Sequence, residues 1–434
     1  MNDASNLNET PRRETLKRVR AGLNKRYAKE RRFRRLGFAA VMVGLAFLVF
    51  FFSSIFSRGY TSFVQTNLLL TVSLDEKIID PKGERDANTL RRANYRTIVR
   101  NGLMGELGEV KGRTARKELL NLASNSAAFD LRDRVVANPE LIGTELTLWV
   151  LADDEVDLYL KSGESADNYT GRLSETQIGW IDTLRDNDRL EFKFNTPFFT
   201  NGDSREPEQA GVMGAALGSF YMLIITLLVA FPVGVAASIY LEEFAPTNKF
   251  TDLIEVNINN LAAVPSIVFG LLGLAVFINF FQLPRSAPLV GGLVLSLMTL
   301  PVVIIAGRAA IKSVPPSIRE AALGLGASHT QVVFHHVLPL AMPGMLTGTI
   351  IGMARALGES APLLMIGMVA FIVDKPSGPL DSATALPVQI FLWFDIPERA
   401  FTERTSGAII VLLLFLLAMN GTAVWLRKKF ERRW

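Results

Sequence analysis

Apolar residues are distributed very unevenly along this 434-residue chain. A basic, polar stretch at 1–37 precedes an uncharged run. Residues 58–210 then alternate between charged and apolar positions over short distances, and long apolar runs dominate 211–434. An uncharged run of about 20 residues is long enough to cross the hydrocarbon core of a bilayer as a helix. The pattern therefore predicts a polytopic membrane protein, mostly α-helical, that carries one sizeable water-facing domain.

Six membrane-spanning helices are predicted from the apolar runs. The first occupies 38–57, and five more lie near 214–239, 258–281, 288–311, 340–373 and 406–426. The run at 340–373 is about 34 residues long, which exceeds one crossing of about 30 Å at about 1.5 Å per residue. We expect that run to break or kink at Gly358 and Pro362.

The distribution of positive charge predicts the orientation. Residues 1–37 hold twelve Lys or Arg against four acidic residues, and the chain ends in RKKFERRW. Such clusters favour the cytoplasmic side, so both termini are predicted there, and 58–210 is predicted to be periplasmic, outside the inner membrane. We interpret 38–57 as a signal anchor and not a cleaved signal peptide, because the preceding basic region is too long and no A-x-A site follows. The acidic loop 241–257 fits this orientation poorly.

Residues 58–210 are predicted to fold as an α+β domain, and about 150 residues suffice for a separate core. Strand character is found at 68–74, 145–160 and 190–196, and helical spacing at 91–107 and 116–136.

The composition argues against several kinds of functional site. The chain has no cysteine, which excludes disulfides and thiolate metal ligands. Its histidines, 329, 335 and 336, have no organised carboxylates nearby, so we predict no metal site. The basic tails are typical of nucleic-acid binding as well. Because both tails adjoin apolar spans, we interpret them as membrane-orienting segments that lie beside lipid headgroups, and we predict no nucleic-acid partner.

The loop 313–337 separates two predicted spans and contains REAALGLGASHTQVVFHHV from Arg319 onward. Two sequences of capping-box form, Ser317–Glu320 and Ser328–Gln331, each predict the start of a short helix. Gly324 and Gly326 predict a left-handed turn between them. By itself this pattern is typical either of a well-capped loop or of a surface on which another protein docks.

Two opposite charges lie in the otherwise uncharged stretch 348–368. Arg355 and Glu359 are spaced i, i+4, so both are predicted on one helix face as an ion pair. A charge in mid-membrane costs at least about 2.5–3.5 kcal/mol, so such residues face a bundle interior or a watery path. The pair either fixes helix packing or lines the route of an anion, for which the planar arginine donors are suited. Arg308, near the end of its span, is predicted to snorkel to the surface.

The loop resembles the signature of ABC importer permeases, EAA-x3-G-x9-I-x-LP. The matching residues are Glu320, Ala321, Ala322, Gly326, Leu338 and Pro339; His336 departs from the usual aliphatic residue. The resemblance implies a type I importer permease fold over 211–434, with five of the spans. It also implies that the loop is a coupling helix, which docks on a separate ATP-binding subunit.

A narrower resemblance is carried by AAVPSIVFGLLGLAVF (262–277), ARALGESAPLL (354–364) and LPVQIF (386–391). These segments are similar to permease subunits of the Pst phosphate importers, of the A type. The resemblance implies that inorganic phosphate is the substrate and that Arg355 and Glu359 lie on its pathway. It also implies three partners: a C-type permease subunit, a dimer of ATP-binding subunits and a periplasmic phosphate-binding protein. It gives no role to 58–210.

No G-x4-GK[ST] loop, Ser–His–Asp set or HExxH motif occurs, so the chain is predicted to be no enzyme and to hold no cofactor, with ATP bound by its partner. Alternatives remain open. One is a permease for molybdate or sulfate. Another is a membrane-anchored sensor, disfavoured because the cytoplasmic pieces are too short for an output domain. A third is an intramembrane protease, disfavoured because the spans lack paired catalytic residues.

Overall fold

The computed structural model describes residues 9–163 and 169–430. Two compact units divide the chain after Ser57. The first is dominated by helix α1 (Glu9–Gly59), whose apolar portion is a candidate membrane span, as predicted for 38–57. The second unit, residues 58–434, contains a part with α-helices and a small sheet followed by a helical part.

The α/β part is built on a three-stranded antiparallel sheet of order β2-β1-β3. The strands are β1 (Val64–Ser73), β2 (Glu145–Leu151) and β3 (Leu190–Phe194). Before β2 lie α2 (Glu76–Ile79), α3 (Ala87–Arg92), α4 (Tyr95–Leu107), α5 (Arg113–Leu120) and α6 (Ser126–Ala137); after it come α7 (Asp154–Ser162), α8 (Glu175–Asp186) and α9 (Thr196–Thr200). Single-turn 3-10 segments lie at Tyr60–Phe63, Pro139–Leu141 and Pro207–Gln209.

Three predicted elements of this part are wrong in extent; the helix expected over 91–107 begins only at Tyr95, after α3 ends at Arg92. The strand expected over 145–160 ends at Leu151, and helix α7 follows because the Asp153 side chain accepts a hydrogen bond from the Glu155 amide at 3.2 Å and caps the helix. The helix expected over 116–136 is two helices, with Ala123 bridging to the end of β2 between them. The buried core includes Leu68, Leu70 and Val72 of the central strand, covered by the helices.

The helical part contains most of the candidate spans. Its helices are α10 (Met213–Ile239), α11 (Lys249–Ala262), α12 (Ser266–Gly273), α13 (Pro288–Lys312), α14 (Pro316–Gly324), α15 (His329–Gln331), α16 (Leu338–Gly358), α17 (Ala361–Met365), α18 (Leu386–Phe394) and α19 (Arg399–Phe430). Wider, π-type turns extend three of these at Tyr240–Phe244, Leu274–Phe280 and Val332–Val337. Among the described residues five helices are long and apolar enough to span a membrane, or six if one bent pair counts as a span.

That bent pair lies where a span was predicted near 258–281. α11 and the helix over Ser266–Phe280 meet at 101°. Pro265 stands at the break: it has no N–H to donate, and it disfavours helical backbone at the residue before it. The segment after the break has 15 residues, about 22 Å of helix at 1.5 Å per residue, less than one crossing.

The long run 340–373 breaks where predicted. α16 ends at Gly358, α17 forms one short turn, and the chain then leaves helical structure until α18. The prediction that Arg355 and Glu359 share one helix face is wrong in one respect. Glu359 has extended backbone (φ −85°, ψ 122°) just past the helix end.

Buried charges join the α/β part to the last helix. The Lys161 ammonium lies 2.6 Å from the Asp157 carboxylate and 2.9 Å from that of Glu403 in α19, and all three side chains are at most 11% exposed. Arg404, the next residue of α19, is 3% exposed. Removing one partner of a buried pair typically costs about 3–5 kcal/mol, so these contacts hold the two parts together firmly.

Glu208 lies at the same junction and makes it sensitive to pH. Its side chain is buried, and its Oε1 accepts a hydrogen bond from Ser124 at 2.5 Å. Burial, together with the nearby Asp154 and Glu206, raises the pKa of Glu208 to about 7. Asp153 is buried as well, and with Asp154 and Glu208 nearby its pKa is raised to about 8. A carboxyl whose folded pKa is raised stabilises the fold at pH below its unfolded pKa, and this contribution is lost as pH rises through the folded value.

We therefore expect the melting temperature of the purified protein to fall by several degrees between about pH 5 and pH 8, and Glu208→Gln to reduce that fall. Glutamine keeps the size of the neutral acid but cannot ionise. A rise of this size in the pKa corresponds to about 3 kcal/mol. The matched control is Glu140→Gln at an exposed glutamate. Equal pH profiles for the two variants would contradict the assignment.

Candidate functional site

The predicted docking loop forms a helix, a glycine turn and a second helix. α14 ends in a Schellman motif, in which the Ala327 amide donates to the Ala322 carbonyl at 3.1 Å and the Gly326 amide donates to that of Leu323 at 2.9 Å. Gly326 has φ +87°, a left-handed conformation as predicted. Gly324, predicted to be left-handed as well, is instead the last residue of α14.

One of the two predicted capping boxes forms. At Ser328 the hydroxyl accepts from the Gln331 amide, and the Gln331 side chain accepts from the Ser328 amide at 2.9 Å. At Ser317 the prediction is wrong, because the cap lies two residues earlier, at Pro315, and Pro316 is already the first residue of α14. A proline suits that place, since its fixed φ is helical and the missing N–H would have no helical partner.

The loop has a buried face and an exposed face. Ala322, Val332, Val333 and Val337 are buried against the ends of the spans, with Ile311 among their neighbours. On the other face Glu320 and Ala321 are exposed, as are the apolar side chains Leu323 (49%) and Leu325 (91%). Leu338 and Pro339 are half-buried at the start of α16. Exposed leucines beside a rigid turn are typical of a surface that another protein covers.

Arg319, a residue of the loop that the sequence did not single out, fastens it to the spans. Its guanidinium donates to the carbonyls of Val314 at 2.7 Å and Ile311 at 3.0 Å, just past and within the end of α13. It also pairs with Glu243 at 2.9 Å, in the π-type turn that extends α10. Glu243 is 8% exposed and Arg319 24%. One side chain therefore ties α14 to the ends of two spans.

The acidic loop 241–257 is neutralised by basic residues near the end of α13. Arg308 lies 3.2 Å from Glu242 and 2.5 Å from Glu255, and Lys312 lies 3.5 Å from Glu242. Arg308 is only 15% exposed, so the prediction that it snorkels to the surface is wrong. The poor fit of this acidic loop to the charge rule was the signal in the sequence that its carboxylates have basic partners.

The three histidines do not converge. His329 packs edge-on against Phe244 at 5.2 Å between ring centroids, and His335 and His336 are exposed. Within residues 9–163 and 169–430 no cluster of three His, Cys, Asp or Glu side chains is arranged to hold a metal ion.

Arg355 lies near the opposite end of α16 from the docking loop. Its Nε is 3.6 Å from Glu359 Oε1, and the Arg355 side chain is 50% exposed. Around it, Gly352, Met353, Ala356 and Leu357 are buried against neighbouring helices. Arg355 shares its exposed stripe with Ile351, at 62%, one turn away. This face of α16 is therefore at least half uncovered within the described residues.

The two groups of predicted site residues are therefore not brought together; α16 connects them. Leu338 and Arg355 are 17 residues apart on this helix, about 26 Å at 1.5 Å per residue. The docking loop and the charged pair therefore lie toward opposite ends of one continuous helix. The functional roles of these residues remain predictions.

Comparison with known proteins bears on both parts of the chain. Residues 210–434 match the family model described as "Binding-protein-dependent transport system inner membrane component", and residues 20–169 match a domain of unknown function, DUF3333. A probable ABC transporter permease protein of Bacillus subtilis, YqgI, is 38% identical over 53% of this chain and 82% of its own length. The phosphate transport system permease protein PstA 1 of Mycobacterium tuberculosis H37Rv is 33% identical over 52% of this chain and 73% of its own.

Among solved structures, half of this chain aligns with 95% of a chain of the inward-facing MetNI methionine ABC transporter, at 17% identity and a TM-score of 0.41. The family model covers more than half of the present sequence, and the predicted permease motifs lie inside the matched range. The chain belongs to the family of binding-protein-dependent transport system inner membrane components, and is thus a multi-pass permease of the ABC importer type.

Proposed function

We propose that this permease imports inorganic phosphate, and that Arg355 lies on the phosphate pathway. The observation that carries the proposal is the half-exposed guanidinium at the broken end of α16, paired at 3.6 Å with a single carboxylate. Relatives named as phosphate transport permeases, 28–33% identical over about half of this chain, support the choice of anion. An arginine presents planar donors that match the oxygens of a phosphate.

The uncovered face of α16 suggests where the pathway runs. A charge that faced lipid tails at this depth would be costly, so a second polypeptide or a watery path must cover Arg355. A second permease subunit, of the C type, supplies such a cover. The pathway then lies between the two subunits, with Arg355 lining it and Glu359 holding the guanidinium in place.

The docking loop receives the movement that ATP drives in the partner subunits. ATP-binding subunits, as a dimer, cover Leu323 and Leu325 beside Glu320 and Gly326 on the cytoplasmic side. Their closure on ATP moves α14, and α16 carries the motion to Arg355, which alternates access between the two sides of the membrane. In this arrangement both termini are cytoplasmic, residues 58–210 are periplasmic, and a phosphate-binding protein delivers the anion.

Uptake of radiolabelled phosphate tests the substrate. We expect a strain that lacks this gene to lose high-affinity phosphate uptake and to regain it on expression of the full chain with its partners. Excess unlabelled phosphate should suppress the signal, whereas equal concentrations of molybdate or sulfate should leave it unchanged. If molybdate or sulfate competed at concentrations like those of phosphate, that oxyanion and not phosphate would be the proposed substrate.

The glycine turn offers a matched pair of variants for the docking step. We expect Gly326→Ala to reduce co-purification of the ATP-binding subunits, because a left-handed alanine costs about 1–2 kcal/mol and distorts the turn. Gly324→Ala is the control, since that residue is helical and a Cβ on either glycine meets no atom within 4 Å. Unchanged co-purification of the Gly326 variant, with the Gly324 variant also normal, would remove the turn from the docking surface.

A further inference from the structure

Strand β3 leaves two large aromatic side chains exposed beside the membrane spans. Phe192 is 51% exposed and Phe194 65%, although the register pairs them with Thr66 and Val64 of β1. Since residues opposite each other share a face, these rings lie on the same face as the buried Leu68 and Leu70. On that face α7 reaches Thr66, whose hydroxyl donates to Asp157 at 2.7 Å, whereas the neighbouring edge strand keeps Phe192 and Phe194 exposed.

β3 is amphipathic as a result. Glu191 and Lys193 point to the opposite face, where the Lys193 ammonium lies 3.4 Å from the centre of the Trp149 ring. If water bathed both faces of this edge strand, both rings would be exposed to it. Such exposure costs about 25 cal/mol per Å² of apolar surface. The alternation instead fits a strand that lies at a boundary between water and an apolar phase.

A chain of stacked rings links this patch to the ends of the spans. Phe194 stacks on Phe199, with ring centres 5.4 Å apart, and Phe199 meets Phe198 edge-on at 5.1 Å. Phe198 is fully buried; its carbonyl accepts from the Val212 amide at 2.8 Å, directly before α10 begins. On the other side Phe198 lies against Gly407 of α19. The exposed rings therefore lie beside the ends of two candidate spans.

From this placement we propose that Phe192 and Phe194, with Val64 and Phe199 beside them, insert into the interfacial layer of the lipid bilayer. The partner is a lipid surface, because the patch continues the aromatic cluster at the ends of the protein's own spans, where aromatic rings concentrate in membrane proteins. Strand β3 thus lies on the membrane and holds the α/β part against it. The rings occupy the boundary between headgroups and acyl chains.

The absence of cysteine allows a direct test with single labels. Full-length chains carrying Phe192→Cys, Phe194→Cys or Phe129→Cys are spin-labelled and reconstituted into phosphatidylcholine–phosphatidylglycerol vesicles. Phe129, on α6, is the matched control, as its exposure of 50% is close to the 51% of Phe192. Power saturation then compares accessibility to oxygen, which partitions into lipid, with accessibility to a water-soluble nickel chelate.

We expect the labels at 192 and 194 to be relaxed several-fold more by oxygen than by the chelate, and the label at 129 to show the reverse. Equal access of the chelate at 194 and 129 overturns the proposal. So does a label at 194 that is exposed to water in the lone chain and shielded only when a second permease subunit is added. If a cysteine variant does not fold, Phe194→Trp with brominated lipids takes its place, with the parent chain and its five tryptophans as the baseline. Quenching beyond that baseline supports insertion, and quenching equal to it overturns the proposal.

Discussion

Replacement of Arg355 by Gln is expected to lower phosphate uptake by about 10- to 100-fold while the protein still inserts and folds. The estimate follows from the loss of a charged hydrogen bond, worth about 1.5–3 kcal/mol. Arg355 is half exposed and pairs only loosely with Glu359 at 3.6 Å, so little folding energy depends on it. Initial rates of radiolabelled uptake, corrected for the amount of protein in the membrane, provide the measurement.

Two further variants separate a role in transport from a role in packing. Arg355→Lys keeps the charge but loses the planar donors, and we expect it to transport at an intermediate rate. Arg427→Gln is the control, an arginine of another span that donates to Thr347 at 3.1 Å. Normal uptake by the Arg355→Gln protein would take this residue off the phosphate pathway, without affecting the family assignment.

Reversal of the charge at Arg319 is the second large effect that the structure predicts. Arg319→Glu places a carboxylate against the nearly buried Glu243 and leaves the carbonyls of Val314 and Ile311 without their donor. We expect transport and transport-linked ATP hydrolysis to fall at least about tenfold, since an uncompensated buried charge typically costs about 3–5 kcal/mol. The exposed face of α14 is unchanged, so ATP-binding subunits should still co-purify.

The double variant Arg319→Glu, Glu243→Arg restores the opposite charges and should regain part of the lost coupling. Lys312→Gln is the control: Lys312 is 60% exposed and 3.5 Å from Glu242, so its removal should have little effect. A double variant no more active than the single one would show that the pair does not carry the coupling. This outcome is distinct from a failure of docking, which would appear as loss of the ATP-binding subunits.

Local signals along the chain gave several elements of the candidate site correctly. A glycine between two short helical patterns predicted the left-handed Gly326, because only glycine adopts that backbone without strain. The length of the run 340–373 predicted its break at Gly358, because one crossing needs fewer residues. The capping box at Ser328 was predictable because its hydrogen bonds join residues only three apart in the sequence.

The sequence predictions were wrong where contacts with residues distant in the chain, or a neighbouring proline, decided between two locally possible structures. Pro316 competed with Ser317 for the start of α14, and its fixed backbone prevailed. Arg308 has the flexible side chain of a snorkelling arginine, yet Glu242 and Glu255, from two other elements, hold it nearly buried. Arg319 gave no signal, because its three acceptors are contributed by separate helix ends.

The sequence by itself determined the apolar lengths, the basic ends, the presence of three strands and the motif-bearing loop, since each depends on composition or on residues within one or two turns. The tertiary structure alone decided which face of α16 stays uncovered at Arg355, how the acidic loop is neutralised, and that Phe192 and Phe194 extend beyond the core. These features depend on which helices pack together, and packing joins residues far apart along the chain, which no local pattern records.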